Sequence, residues 1–247
     1  MRPADASWSA APSGLKLADD NVHVFAAPLD VPAKRLEELE QWLSDDERQR
    51  ASRFHLERDR RRFIAGRGIL REILGTMSGV SPASLIFAYG EFGKPHIAAP
   101  VAARLLQFNL AHSDSIAVYA TAKRTLGVDL ERIRELDEVE QFAARFFSPD
   151  EEQRLLTLPD AQRREAFFNC WTRKEAYLKA IGTGLNNCIR QVEVSPGPGE
   201  TAERLGVPDG SPRWRLHSLT PAIGFVGALV VQPEDSPVNC WHWNGPP

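Results

Sequence analysis

The sequence predicts an α+β protein of two similar lobes, each an antiparallel sheet packed with helices. A chain of 247 residues is long enough to bury the cores of two lobes of about 110 residues each. An order of one strand, helices and then strands occurs twice along the chain. The regular strand–helix alternation of a parallel α/β sheet is missing, so antiparallel sheets fit better.

Composition argues against several classes of protein. The chain has 30 basic and 33 acidic residues, a net charge of −3, whereas general nucleic-acid binders are usually basic. Its three cysteines form no CxxC pair, which is typical of a reduced compartment and supplies no zinc framework. The N-terminus has no apolar signal region, and the apolar run Ala222–Val231 is about half a membrane span. We therefore expect a cytoplasmic protein that binds neither nucleic acid nor membrane.

We divide the chain into four parts by composition and pattern. Residues 1–18 are rich in Ala, Ser and Pro and are predicted to form a loose N-terminal arm. Residues 19–124 form the predicted N-terminal lobe, and residues 125–233 form the C-terminal lobe. The Pro-containing residues 234–247 are predicted to be a peripheral tail.

The N-terminal lobe is predicted to begin with a strand and two helices. Alternating apolar residues over Asn21–Ala27 predict the strand. A capping box of the form S-x-x-E at Ser44 predicts a helix from Asp45. Apolar residues at helical spacing then predict a second, core-facing helix that Gly75 closes. The remaining predictions are a short turn at Ser81-Pro82, an extended segment at Leu85–Tyr89 and a turn at Gly90–Pro95.

The C-terminal half is predicted to contain a hairpin, two helices and a closing pair of strands. Ser115–Ala122 and Leu126–Leu130 are predicted to pair as an antiparallel hairpin. A capping box with Pro at the first helical position predicts a helix from Ser148. The remaining predictions are a longer helix at Ala161–Ile181 that stops at Gly182, a surface excursion at Ser195–Gly210, and strands at Trp214–Leu219 and Gly224–Val231.

Two acids alternate with apolar residues on one predicted strand. Between Leu126 and Glu131 the apolar side chains point to one face, so Asp129 and Glu131 share the other. Their backbones lie about 6–7 Å apart, a spacing from which both carboxylates can reach one cation. The same pattern also fits a solvated strand face with two ordinary surface acids.

A third carboxylate lies on the apolar side of the long helix. At about 100° per residue, Glu175 falls between Trp171 and Phe168, so it should be partly desolvated and need a cation or hydrogen-bond donors. One alternative is a salt bridge within the helix to Lys179. The other is a joint site with the acidic pair of the strand, where an all-oxygen ligand set would suit Mg²⁺ better than zinc or copper.

Basic side chains are concentrated between Arg48 and Arg71, where the sequence has nine arginines. Guanidinium groups suit bidentate contact with phosphate. The stretch is therefore either a phosphate-binding surface or a solvated helix face whose arginines pair with neighbouring acids. Lys94 and His112 are further candidates for phosphate contact, against the alternatives of a surface lysine and a structural histidine.

Five segments together resemble the large, two-lobed class of 4′-phosphopantetheinyl transferases, the type that activates surfactin synthetase. The family pattern G-[IV]-D-x-E is matched by G-V-D-L-E from Gly127, and W-[ST]-x-K-E-[AS]-x-x-K by W-T-R-K-E-A-Y-L-K from Trp171. Upstream, F-G-K-P from Phe92 and F-N-L-A-H-S from Phe108 are similar to two further family segments, and R-F-F-S from Arg145 to a third. The resemblance extends from about Leu43 to Val231.

The resemblance implies a fold, a reaction and partners. The fold would be a pseudo-dimer within a monomeric chain, with the active site in the cleft between the lobes. Coenzyme A would donate its phosphopantetheine group to a serine of an apo acyl- or peptidyl-carrier protein, leaving 3′,5′-ADP. Magnesium, with Mn²⁺ as a substitute, would be the metal cofactor.

The resemblance also implies a role for each site residue. Asp129, Glu131 and Glu175 would hold the metal on the pyrophosphate, and Lys179 would stabilise charge or handle a proton at the reacting phosphate. The proton of the acceptor serine would leave through Glu175 or a metal-bound water. The donor would be bound by Arg50, Arg62, Lys94, His112 and Ser113. Ala111 departs from the family, which often has a hydroxyl residue there. One phosphate hydrogen bond would then be either missing, with a lower affinity for coenzyme A, or supplied by Ser113.

Two other functions are also compatible with the sequence. One is a metal-dependent phosphohydrolase of a small nucleotide, with water as the acceptor. The other is an interaction module whose arginine-rich helix binds acidic proteins.

Overall fold

A computed structural model describes residues 8–16, 21–184, 187–195, 197, 214–232 and 237–246. Within these ranges the strands are β1 (Trp8–Ala10), β2 (Val22–Pro28), β3 (Ile86–Tyr89), β4 (Pro95–Ala99), β5 (Gln107–Ser113), β6 (Ile116–Ala122), β7 (Leu126–Arg132), β8 (Arg215–Leu219), β9 (Phe225–Val231) and β10 (Val238–His242). The α-helices are α1 (Ala33–Glu40), α2 (Asp45–Ala51), α3 (Glu57–Ser78), α4 (Val139–Phe146), α5 (Pro149–Thr157) and α6 (Asp160–Ile181). Most of the predicted excursion at Ser195–Gly210 lies outside the described residues.

The elements form two lobes whose sheets pack face to face. The first lobe has a five-stranded sheet in the order β1-β10-β2-β6-β5, and the second has a three-stranded sheet in the order β7-β9-β8. Helices α1 and α3 cover the outer face of the first sheet, and α4, α5 and α6 cover that of the second. Because side chains alternate along a strand, the inner faces of both sheets contribute to one shared core. The predicted two-lobed α+β class is confirmed.

The alternation is clearest on the central strand of each sheet. On β2, Phe25 packs with the outer helices while Val24 faces the second lobe. On β9, Val230 packs with the outer helices while Leu229 faces the first lobe. A hairpin made of β3 and β4 forms a separate two-stranded sheet beside these layers.

The predicted hairpin of β6 and β7 is wrong. Both strands exist, but β6 pairs with β2 and β5, whereas β7 pairs with β9. Since β2 and β5 already occupy both edges of β6, the three residues after Ala122 carry the chain across to the other sheet. This crossing separates the two lobes.

The expected loose arm and peripheral tail are wrong for the segments that the structure describes. Strand β10 inserts between β1 and β2 and runs parallel to both, so the first sheet is mixed rather than purely antiparallel. Trp243 directly follows β10 and is buried against the edge of Phe25, and its indole N–H donates to Glu72. Residues from both ends of the chain therefore complete the first lobe.

Helix ends follow their local sequence with one exception. The capping boxes at Ser44 and Ser148 are both formed, and α6 ends at Gly182 in the left-handed conformation. The predicted end of α3 at Gly75 is wrong, because the helix continues to a left-handed Gly79. Gly75 instead lets Pro82 approach, since a Cβ there would lie 2.9 Å from the proline ring. None of the described helices is long and apolar enough to cross a bilayer.

We predict that Trp243→Ala destabilises the protein by about 3–5 kcal/mol, the usual result of removing a buried tryptophan. The variant loses the packing on Phe25 and leaves Glu72 without the indole donor. Ile223→Ala, at a fully exposed side chain, should change stability by less than about 0.5 kcal/mol. Urea unfolding of both variants measures the difference. Equal midpoints would show that the residues after β10 are not part of the first lobe's core.

Candidate active site

Strand β7 and helix α6 are in backbone contact at Gly127. A Cβ at this position would lie 2.1 Å from the carbonyl oxygen of Ala176 and 2.3 Å from the backbone nitrogen of Ala180. No larger residue fits without moving the helix away. The close approach brings this side of α6, with Glu175 and Lys179, next to the acids of β7.

Asp129 is paired with a lysine from α6. The Nζ atom of Lys179 lies 2.6 Å from Asp129 Oδ1. The predicted alternative of a helix salt bridge between Glu175 and Lys179 is therefore wrong, since Lys179 pairs across to the strand. Asp129 is also buried, and its Oδ2 atom has no hydrogen-bond partner within the described part of the chain. Burial raises the pKa of Asp129, and the charge of Lys179 only partly opposes this rise.

Glu175 is the second carboxylate without full compensation. Its Oε1 atom is buried and has no hydrogen-bond partner among the residues that the structure describes. Burial raises the pKa of Glu175 to about 7, and the negative charges of Asp129 and Glu131 act in the same direction. The three carboxylates therefore interact electrostatically. The alternative of two ordinary surface acids on β7 is wrong for Asp129, which is buried.

Glu131 lies at the more exposed end of this cluster. Its Oε2 atom accepts a hydrogen bond of 2.8 Å from the hydroxyl of Ser113. His112 lies nearby, where partial burial and the positive charge of Lys179 lower its pKa while Glu131 opposes the change. The predicted residues Ser113, His112 and Lys179 are thus brought around the carboxylate cluster.

The oxygen atoms of the carboxylate cluster could serve as ligands of a divalent metal ion. Over the described ranges, no three His, Cys, Asp or Glu side chains are already arranged as a complete metal site. Two features nevertheless suit a hard cation: the donor atoms are all carboxylate oxygens, and Asp129 Oδ2 and Glu175 Oε1 are buried without partners. The ammonium of Lys179 is the cation that presently contacts Asp129. The side chains present fit such an ion if Lys179 gives way.

Several arginines between Arg48 and Arg71 form ion pairs, and their partners are acids of the first lobe. Arg62 binds both oxygens of Asp30 at 2.7 Å and one oxygen of Asp114 at 2.8 Å. Arg67 and Arg71 both pair with the buried Glu47, which links α3 to the start of α2. All three arginines are paired with acids, as one alternative predicted. That alternative also placed them on a solvated helix face, which is wrong for Arg71, since it is buried with Glu47.

Arg50 has different surroundings. Its guanidinium lies over the ring of Phe63, 5.4 Å from the centroid. With Asp46, Gln49, Arg53 and Phe54 it lines a surface depression of about 550 Å³. The two guanidinium groups outnumber the one carboxylate of this lining, and the aromatic side chain beside them suits an anionic ligand with a ring system.

Lys94 lies between the lobes. Its Nζ atom donates to the carbonyl oxygens of Leu126, at 3.2 Å, and Ala180, at 2.9 Å. Burial lowers the pKa of Lys94 to about 8. The structure therefore places this ammonium on the backbone of β7 and α6, and its predicted contact with a donor phosphate stays a prediction.

Asn109 is a site residue that the sequence analysis did not single out. Its Oδ1 atom accepts a hydrogen bond of 2.9 Å from the backbone N–H of Val128, directly before Asp129. Both residues are buried. The sequence analysis predicts no strand at β5, so it does not place Asn109 and Ser113 on the same strand face. The alternation of these two residues on one strand face was the available signal.

A buried carboxylate cluster beside basic side chains is a site that suits a cation together with a ligand that carries phosphate groups. Residues 125–229 match the sequence model of the 4′-phosphopantetheinyl transferase superfamily, and residues 32–124 match that of the N-terminal part of a 4′-phosphopantetheinyl transferase. The chain is 41% identical to the 4′-phosphopantetheinyl transferase HetI of Nostoc sp., over 96% of this chain and 98% of that protein. The chain belongs to the 4′-phosphopantetheinyl transferase superfamily.

More distant relatives match about three fifths of the chain. The 4′-phosphopantetheinyl transferase psf-1 of Bacillus pumilus is 36% identical over 62% of this chain and 64% of its own length. The 4′-phosphopantetheinyl transferase Sfp of Bacillus subtilis is 27% identical over 59% of this chain and 62% of its own length. The resemblance found in the sequence motifs is thereby confirmed.

We predict that ionisation of Glu175 lowers the stability of the metal-free protein as pH rises from about 5 to about 7. Glu175 ionises with a pKa of about 7 when folded, against an ordinary value of 4.5 for a glutamate carboxyl group. Between these values the folded state binds more protons than the unfolded state, so the free energy of unfolding falls as pH rises. Glu175→Gln should flatten this part of the profile and be the more stable protein at about pH 8. Urea unfolding in EDTA across this range measures both effects.

Glu135→Gln is the matched control, because Glu135 is exposed. Its profile should follow that of the unchanged protein. If the Glu175→Gln profile also ran parallel to that of the unchanged protein, Glu175 would not be a strained carboxylate.

Proposed function

We propose that the protein transfers the 4′-phosphopantetheine group of coenzyme A to a serine hydroxyl of an apo acyl- or peptidyl-carrier protein. The products are holo-carrier protein and 3′,5′-ADP. The observation that carries the proposal is the buried, incompletely neutralised carboxylate cluster where β7 meets α6, in a chain of this superfamily. Buried carboxylate oxygens without partners among the described residues favour binding of a cation, which can come with a phosphate substrate.

Asp129, Glu131 and Glu175 would hold Mg²⁺, with Mn²⁺ as a substitute that accepts similar oxygen ligands. When bound, such an ion supplies charge neutralisation on the pyrophosphate of the donor. The two unpartnered oxygens of Asp129 and Glu175 support this assignment.

Lys179 would change partners during the reaction. Its ammonium now neutralises Asp129. With a metal ion on that carboxylate, Lys179 would be free to turn towards the reacting phosphate. There it would stabilise the charge that develops on the leaving group.

The bond changes define what the remaining groups must do. The serine oxygen forms a bond to the phosphorus on the pantetheine side, and the anhydride bond to 3′,5′-ADP breaks. The serine proton must be accepted nearby. Glu175 would accept it, supported by its buried Oε1 atom, which has no partner among the described residues.

Donor binding would involve basic side chains on the first lobe. Arg50 and His112 have the best support, because Arg50 lines an open depression and His112 lies beside the cluster. Arg62 and Lys94 would have to exchange their present partners, two aspartates and two carbonyl groups respectively, for phosphate. Ser113 would likewise have to leave Glu131.

We also propose that the protein acts in the cytoplasm as a monomer. The cysteines Cys170 and Cys240 are buried free thiols, which fits a reducing compartment. Both lobes are supplied by a single chain, so the carboxylate cluster is assembled without a second copy.

We predict that an apo carrier protein incubated with coenzyme A, Mg²⁺ and this protein gains the mass of one phosphopantetheine group. Asp129→Asn should lower the initial rate by at least about 100-fold, because one charged ligand of the cluster is removed. Asp137→Asn, at an exposed acid beyond β7, is the control and should transfer at the normal rate. Mass spectrometry of the carrier protein measures the rate.

Two outcomes would contradict the proposal. Breakdown of coenzyme A without a carrier protein would favour the phosphohydrolase. Full activity of a folded Asp129→Asn protein would show that the carboxylate cluster is not the reaction site.

We predict that Arg50→Ala raises the KM for coenzyme A by about tenfold, equal to about 1.4 kcal/mol of binding, with little change in kcat. Arg48→Ala is the matched control, because Arg48 is on the same helix but pairs with Asp45. Steady-state kinetics with varied coenzyme A separates the two constants. A fall in kcat at constant KM would remove Arg50 from the donor site.

A further inference from the structure

Strand β7 carries two of the three carboxylates but is an edge strand of its sheet. Its partner on one side is β9, and its other edge faces β5 of the first lobe. Along a free edge, backbone N–H groups lack the ladder that would satisfy them. At Val128, which is buried, such a group needs another acceptor.

Side chains of β5 supply the missing acceptors. Asn109 Oδ1 lies 2.9 Å from the backbone nitrogen of Val128, and Ser113 Oγ lies 3.1 Å from that of Arg132. The two contacts are four residues apart on both strands, so they have the same register. Ala111 lies between them on the same face of β5, where its small side chain lets the strands come close.

The contacted amides are next to the two acids. Val128 directly precedes Asp129, and Arg132 directly follows Glu131. Ser113 also donates its hydroxyl proton to Glu131 Oε2 at 2.8 Å. The hydroxyl therefore contacts both the backbone and the carboxylate at this end of the strand.

We propose that Asn109 and Ser113 are positioning residues that hold the acidic strand by its free edge and so fix Asp129 and Glu131 relative to Glu175. This inference rests on the proposed function and gives Ser113 a role on Glu131 instead of on the donor. Neither residue touches the reacting atoms. Loss of the Asn109 acceptor leaves the buried N–H of Val128 unsatisfied. Loss of the Ser113 hydroxyl removes one contact to the backbone of Arg132 and one to Glu131, so this end of the strand is free to shift.

The test compares Asn109→Leu, which keeps the size but removes the acceptor, with Gln107→Leu. Gln107 is exposed on the same strand and serves as the matched control. In Asn109→Leu we expect kcat to fall by about 10–100-fold and the Mn²⁺ dissociation constant to rise by a similar factor, as for other groups that orient metal ligands. The KM for coenzyme A should stay within about twofold. Gln107→Leu should change none of these.

A second pair of variants tests the other end of the strand. Ser113→Ala should lower kcat and weaken Mn²⁺ binding in the same way, and Ser113→Thr, which keeps the hydroxyl, should recover most of the loss. If Asn109→Leu does not fold, the two Ser113 variants still test whether contacts from β5 position the acids of β7. Mn²⁺ binding is followed by electron paramagnetic resonance without substrate. Amide hydrogen exchange of Val128 and Arg132 in the metal-free protein reports whether each hydrogen bond has been lost.

The outcomes separate this inference from the proposed function. A raised KM for coenzyme A at constant kcat in Ser113→Ala would make Ser113 a donor ligand and overturn the inference for that residue. Faster exchange with unchanged Mn²⁺ affinity and kcat would show that the contacts only stabilise the fold. If the unchanged protein modified no carrier protein, the proposed function would fail, while Mn²⁺ affinity and amide exchange would still decide the positioning role.

Discussion

The close contact between β7 and α6 at Gly127 is the constraint on which the site depends. It forces Asp129 and Glu175 into one partly buried region, where each raises the energy of the other's ionised form. The ammonium of Lys179 cannot neutralise both charges, and two carboxylate oxygens have no partner within the ranges that the structure describes. An arrangement that is unfavourable for the metal-free protein is suited to binding a cation together with an anionic substrate, because binding relieves the strain.

The first lobe holds this arrangement in place. Lys94, Asn109 and Ser113 all contact the backbone of β7, through Leu126, Val128 and Arg132 respectively. Further out, the Asp114 carboxylate receives hydrogen bonds from Arg62 of the first lobe and Arg132 of the second. The lobes therefore meet through a shared apolar core and a line of polar contacts along one strand edge. Through such contacts, first-lobe residues that are distant in sequence from helix α6 can set the position of the carboxylates on β7.

Features set by local chemistry could be predicted from the sequence, and features set by competition between distant groups could not. The capping boxes at Ser44 and Ser148 and the buried side of Glu175 follow from neighbouring residues and helix periodicity. The partner of Lys179 does not follow from them, because Lys179 pairs with Asp129 on strand β7 instead of with Glu175, four residues away on its own helix. The partners of β6 and the insertion of β10 depend on which strand edges are free, and spacing along the chain does not record this. The ion pairs of the arginines could not be predicted for the same reason. Arg62 pairs with Asp30, and Arg67 and Arg71 pair with Glu47, because the fold brings these distant acids next to them.

The central claim is that Asp129, Glu131 and Glu175 share one divalent ion once Lys179 moves aside. Anomalous diffraction from crystals grown with Mn²⁺ and coenzyme A tests it most directly. We expect one Mn²⁺ bonded to oxygen atoms of all three carboxylates and of the pyrophosphate, with Lys179 no longer on Asp129. Manganese bound elsewhere, with the pair of Lys179 and Asp129 intact, would contradict it.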